Sequence, residues 1–181
     1  MKKLIFPLLM IVAGIQPAYS ADAQVFGGVI IGKTTPSELT QLFKSRGCSW
    51  RQDQDGQAIV FTPSDGCYQM VATTTQPRFY VADSSVRLII QDIPKDMHNQ
   101  NFDTYVSMLK EKYGAPAQYD RPFVGNAMSM WTADPIYVAL EFPHMSFTGT
   151  LCYGLRSDLE QMYRKEAEAN RKSSNDTKSM L

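Results

Sequence analysis

Few residues in this 181-residue chain are suited to covalent or acid–base chemistry near neutral pH: three cysteines, Cys48, Cys67 and Cys152, and two histidines, His98 and His144. Three thiols permit one disulfide and leave one cysteine over. Cys48 directly follows Gly47 at the end of an apolar-striped segment, and Cys67 lies just past the turn Pro63-Ser64-Asp65-Gly66. One short helix-to-strand excursion brings these two together, so a Cys48–Cys67 bridge is expected, with a Cys67–Cys152 link as the alternative. Cys152 alternates with Leu151 and Tyr153 and faces away from both, which reads as a small buried side chain rather than an activated nucleophile. Each histidine adjoins a proline-marked loop and lacks further ligands at metal-binding spacing. Asp53-Gln54-Asp55-Gly56 has the start of a calcium loop without its later ligands, and Asp-Gly favours a hairpin turn there. No G-x-S-x-G elbow, P-loop, dinucleotide glycine fingerprint or HExxH motif occurs, so no catalytic residue, metal or cofactor is implied.

Aromatic residues offer a different chemistry, that of recognition. Trp50, Tyr68, Phe79, Tyr80, Tyr119, Trp131 and Tyr137 fall on or beside expected strands, and a sheet face rich in Trp and Tyr can anchor a protein partner. Most must fill the core of a domain this size. The alternation singles out Trp131, between Met130 and Thr132, and Tyr137, between Ile136 and Val138, as surface candidates, with Trp50 and Tyr119 beside them.

The elements that must position these side chains announce themselves by their ends. Thr35-Pro36-Ser37-Glu38 is a capping box with proline at the first helical position, and Leu39, Leu42 and Phe43 then form a stripe that Gly47 stops, predicting a helix over 36–46. Phe102, Tyr105, Val106, Leu109 and Tyr113 keep i, i+3, i+4 spacing up to Gly114 and Pro116, predicting a second helix. Ser157-Asp158-Leu159-Glu160 has the form of another capping box, with Leu159, Met162 and Tyr163 able to pack behind it. Strands are expected at 57–62 and 68–72 as a hairpin, through Val86, Leu88 and Ile90 on one face, and at 127–132, 136–142 and 149–155. The expected fold class is α+β: two tandem units, 24–95 and 96–156, each an amphipathic helix packed on a small antiparallel sheet. A C-terminal helix at 157–170 and a disordered tail at 171–181 follow.

The amino terminus supplies an address. Lys2-Lys3, the apolar run Leu4–Ile15 and small residues at Ala18 and Ser20 have the layout of a secretory signal over residues 1–20, with a second permitted cut after 23. Pro7 and Gly14 interrupt the run, which is short of the ~20 residues of a spanning helix, so no membrane insertion is expected after cleavage. The processed chain keeps 16 basic and 18 acidic residues, a net charge of −2, which argues against nucleic acid as a partner. A periplasmic or secreted location also allows the disulfide to persist.

The stretch Gly28-Val29-Ile30-Ile31-Gly32-Lys33-Thr34-Thr35-Pro36-Ser37-Glu38-Leu39 resembles the strand, glycine and capped-helix opening of small exported modules. Such openings occur in the β-lactamase inhibitory protein family and in the small lipoprotein of the outer-membrane β-barrel assembly machinery. In the inhibitory proteins a cysteine after the first helix is joined to one on a following strand, similar to the placement of Cys48 and Cys67. The second half departs from that pattern: it lacks the opening glycine motif and has one cysteine, not two. The resemblance implies the tandem architecture and a binding role, with another envelope or secreted protein as partner. The alternative is a small exported hydrolase or thiol-dependent enzyme acting through Cys152, and a third reading is an accessory that binds peptidoglycan or supports envelope assembly.

Overall fold

A computed structural model describes residues 25–64, 66–67, 76–96, 100–161 and 164. The signal segment, the strand expected at 68–72, Tyr68, His98, Met162, Tyr163 and the tail from 165 lie outside the described residues. In chain order the elements are β1 (Val25–Phe26), β2 (Val29–Ile30), α1 (Pro36–Ser45), β3 (Trp50–Asp55), β4 (Ala58–Pro63), β5 (Arg78–Ala82) and β6 (Ser85–Pro94). They continue with α2 (Gln100–Tyr113), β7 (Gln118–Asp120), β8 (Ala127–Ala133), β9 (Ile136–Phe142) and β10 (Thr148–Leu155). A further helical stretch opens at residue 156.

Both long helices begin and end where local chemistry dictates. Thr35 caps α1: its Oγ1 accepts from the Glu38 amide, and its own amide donates to Glu38 Oε2 at 2.8 Å. Gly47, at φ +71°, turns the chain out of α1 while its amide and that of Cys48 donate to the carbonyls of Lys44 and Phe43. The Asp96 carboxylate accepts from the amides of Gln100 and Asn101 at the start of α2, and Gly114, at φ +77°, ends it. The expected Ser157 capping box does not form. Helical structure already holds Arg156, so Ser157 sits inside the first turn, and its hydroxyl bonds Asp158 rather than the Glu160 amide. The turn is tied instead by Arg156 to Glu160 and by Asp158 to Arg87.

Eight strands form one antiparallel sheet in the order β3-β4-β5-β6-β10-β9-β8-β7, while β1 and β2 form a separate small hairpin. Each long helix is followed by a four-strand meander, and the two meanders meet where β6 pairs with β10. The α+β class is therefore dominated by a single sheet rather than by two small ones. The turn at Gly56 joins β3 to β4 as the Asp-Gly sequence predicts. β4 pairs with β3 along its length and with β5 over Ile59–Phe61, and the hairpin partner expected at 68–72 lies outside the described residues. β3 reads poorly as a strand because an edge strand with five consecutive exposed polar residues has no alternation to show.

Both helices lie on one face of the sheet. Phe43 of α1 packs edge-on against Phe79 at 5.5 Å, and Phe102 of α2 against Phe142 at 5.4 Å. Cross-strand pairs carry the same core face across the seam through Phe61, Phe79, Ile89, Tyr153, Val138 and Trp131. One buried cluster spans both halves. Val86, Leu88 and Ile90 do not share a face as their spacing predicts. The β5–β6 register shifts so that Arg87 is left as the extra residue of a bulge, which returns Val86 to the core face with Ile89 and turns Leu88 and Ile90 to the opposite side.

Candidate functional site

Neither α1 nor α2 covers the sheet face opposite the core, although Val60 and Thr62 at its β4 end are only 6 % exposed, and the face is built in three cross-strand rows. The first runs Val60, Tyr80, Leu88, Gly154, Tyr137 and Thr132. The second runs Arg78, Ile90, Cys152, Ala139 and Met130, and the third Asp92, Thr150, Glu141 and Met128. Side chains directly opposite in such pairs stand about 5 Å apart, so each row is continuous. Tyr80, Leu88, Ile90, Tyr137, Met128 and Met130 are all half-buried.

Gly154 is required by a close approach. A Cβ at this position would lie 2.7 Å from the Tyr137 ring, so the ring lies over the glycine and fills the gap in the first row. Charge borders the apolar centre. Arg78 Nη2 meets Asp92 Oδ1 at 2.9 Å, while Glu141 is exposed one row from Cys152. Burial pushes the Cys152 thiol up to about 12, the Glu141 carboxylate pushes it further the same way, and Arg78 only partly opposes them. Such a thiol stays protonated at neutral pH and is a poor nucleophile. His144 lies off this face, in the loop after β9, where its amide donates to Asn126 Oδ1.

Of the four aromatic candidates, only Tyr137 stands on this face. Trp131 is a correction: it is 1 % exposed, faces the helices, and donates from its indole to the Gly114 carbonyl at the end of α2. Strand β8 alternates Met128, Met130 and Thr132 against Ser129, Trp131 and Ala133, and it is the methionines that take the open side. Trp50 also lies on the helix side, 5.8 Å from Phe43 and packed against the core. Tyr119 is half-exposed, but on the edge strand β7 and on the helix side, between Phe102 and the Lys110 ammonium. Sequence reasoning passed over Leu88, Ile90, Met128 and Met130. The alternation of β8 carried the signal for the methionines, whereas the bulge at Arg87 concealed that for Leu88 and Ile90.

The Cys48–Cys67 disulfide forms as expected, with 5.6 Å between the Cα atoms, and ties the end of α1 to the turn after β4. Among the described residues no three His, Cys, Asp or Glu side chains converge as metal ligands, and no helix is long and apolar enough to cross a membrane. No protein-family model, curated protein or solved structure matches this chain.

Proposed function

We propose that this chain is an exported, non-enzymatic binding module, inhibitor-like or accessory to envelope assembly, which holds another envelope or secreted protein on the open face of its sheet. The observation that carries the reading is the set Tyr80, Leu88, Ile90, Tyr137, Met128 and Met130, side by side on the face turned away from α1 and α2. An apolar, aromatic and methionine-rich centre bordered by Arg78, Asp92 and Glu141 has the composition of a recognition surface. The five strands that carry these residues, β5, β6, β10, β9 and β8, span roughly 20 Å within a sheet large enough for a partner footprint of about 800 Å². The repeated order of helix and four-strand meander supports two tandem units, 24–95 and 96–156. The signal-like terminus and the disulfide support export, and the resemblance of Gly28–Leu39 to the inhibitory proteins points the same way.

The test is capture from envelope extract by the immobilised chain, repeated with Tyr137→Ala and Tyr80→Ala. Loss of an aromatic anchor should weaken retention of a specific partner about 30-fold, corresponding to a hot-spot contribution near 2 kcal/mol. Retention unchanged in both variants would remove the open face from the reading. A turnover abolished by Cys152→Ser would instead make the chain a thiol-dependent enzyme.

A further inference from the structure

We infer that one end of the sheet, formed by the β7–β8 loop (residues 121–126) and the β9–β10 loop (residues 143–147), docks peripherally on a lipid surface. Phe123, Met145 and Phe147 are each at least 90 % exposed, and Val124 is 66 % exposed. Single apolar side chains are common on soluble surfaces, but four on two neighbouring loops form a patch that marks an interaction site.

The loops are built to keep these side chains outward. The His144 amide donates to Asn126 Oδ1 at 2.8 Å, which ties one loop to the other. Gly125 turns at φ +132° against the Pro122 ring, and the Ser146 hydroxyl both donates to the Thr148 carbonyl and accepts from the Thr148 amide. Rigid presentation reduces the entropy lost when the tips are buried.

Lipid is favoured over a protein pocket by where the polar backbone groups go. The carbonyls of Pro143 and His144 accept from Lys95 Nζ, that of Phe147 from the Lys95 amide, and that of Thr148 from Ser146. These flanking carbonyls are already satisfied, so burying the Met145 and Phe147 side chains does not strand them. Phe123, His144 and Phe147 line only a shallow hollow, and the apolar tips project separately, a shape suited to a soft interface. The Lys95 ammonium, held behind the tips by carbonyls, is placed to meet headgroup phosphates. Such contact reaches the headgroups and upper acyl chains and does not span the bilayer.

The experiment is co-sedimentation of the exported chain, its N-terminus read by mass spectrometry, with phosphatidylcholine vesicles, and separately with vesicles that also contain phosphatidylglycerol. Binding to both is expected, with the bound-to-free ratio falling at least tenfold in the double variant Phe123→Ser/Phe147→Ser, whose positions are too exposed to affect folding. Met145→Trp should show a blue-shifted emission on vesicle addition, quenched by brominated acyl chains. Absence of vesicle binding, or binding that the double variant leaves unchanged, overturns the inference. So does capture of a protein through these tips from lipid-free extract without vesicle binding. The open-face reading is tested by the Tyr137 and Tyr80 variants and survives failure here.

Discussion

Cys152 lies in the middle row of the open face, between Ile90 on one strand and Ala139 on the other, and its thiol is pushed up to about 12 chiefly by burial. At pH 8 an ordinary cysteine is substantially thiolate, whereas this one is almost entirely protonated. Iodoacetamide should therefore label Cys152 at least 100-fold more slowly in the native chain than in urea, as mass spectrometry of the alkylated peptide would show. Comparable rates in the two states would mean that the thiol is not desolvated. Tyr137 and Trp131 illustrate what one residue of phase decides. They belong to neighbouring strands, yet Tyr137 pairs with Thr132 and Trp131 with Val138, on opposite faces. Their alternation is legible in the sequence; which side the helices cover is not.

At the scale of elements, α2 is held to the sheet partly by the Tyr113 and Tyr153 rings, whose centroids are 6.5 Å apart. Burial pushes the Tyr113 phenol up to about 12, with a hydrogen bond to Tyr153 acting weakly the other way, and burial raises Tyr153 further. Between about pH 10 and 12 the unfolded chain gives up a proton that folded Tyr113 keeps, so stability is full below pH 10 and falls as pH rises through this window. Tyr113 alone should contribute on the order of 2–3 kcal/mol to that loss. Urea midpoints measured from pH 9 to 12 should fall steadily, and Tyr113→Phe should flatten the slope. The Cys48–Cys67 bridge ties α1 to the turn after β4 across 19 residues of sequence. Replacing both cysteines by alanine should cost about 3 kcal/mol in urea unfolding, and a cost near zero would mean that the bridge constrains little. Helix ends were legible from Thr35, Gly47 and Gly114 because caps are local chemistry. The Ser157 box failed because hydrogen bonding from Arg156 and the ion pair between Arg87 and Asp158 draw on residues far apart in sequence.

For the whole molecule, the decisive contact is the pairing of β6 with β10, which joins the two meanders into one sheet above a single buried cluster. Neither half can lose its strands without exposing core residues of the other. Far-UV and near-UV circular dichroism should therefore report one coincident urea transition, whereas two separated transitions would mean that the halves are independently stable. Caps and periodicity determined α1 and α2, the strands from β8 to β10 and the alternation of Tyr137, and made Cys48–Cys67 the expected pair, because each depends on residues near one another in the chain. Tertiary structure alone decided that the meanders fuse at β6 and β10 and that a bulge at Arg87 turns Leu88 and Ile90 outward. It also placed both helices on one side, burying Trp131 beneath them and leaving Tyr137 on the other face. The physical reason is that strand pairing and layer packing are long-range: alternation specifies two faces, and only the placement of the helices determines which of them remains open.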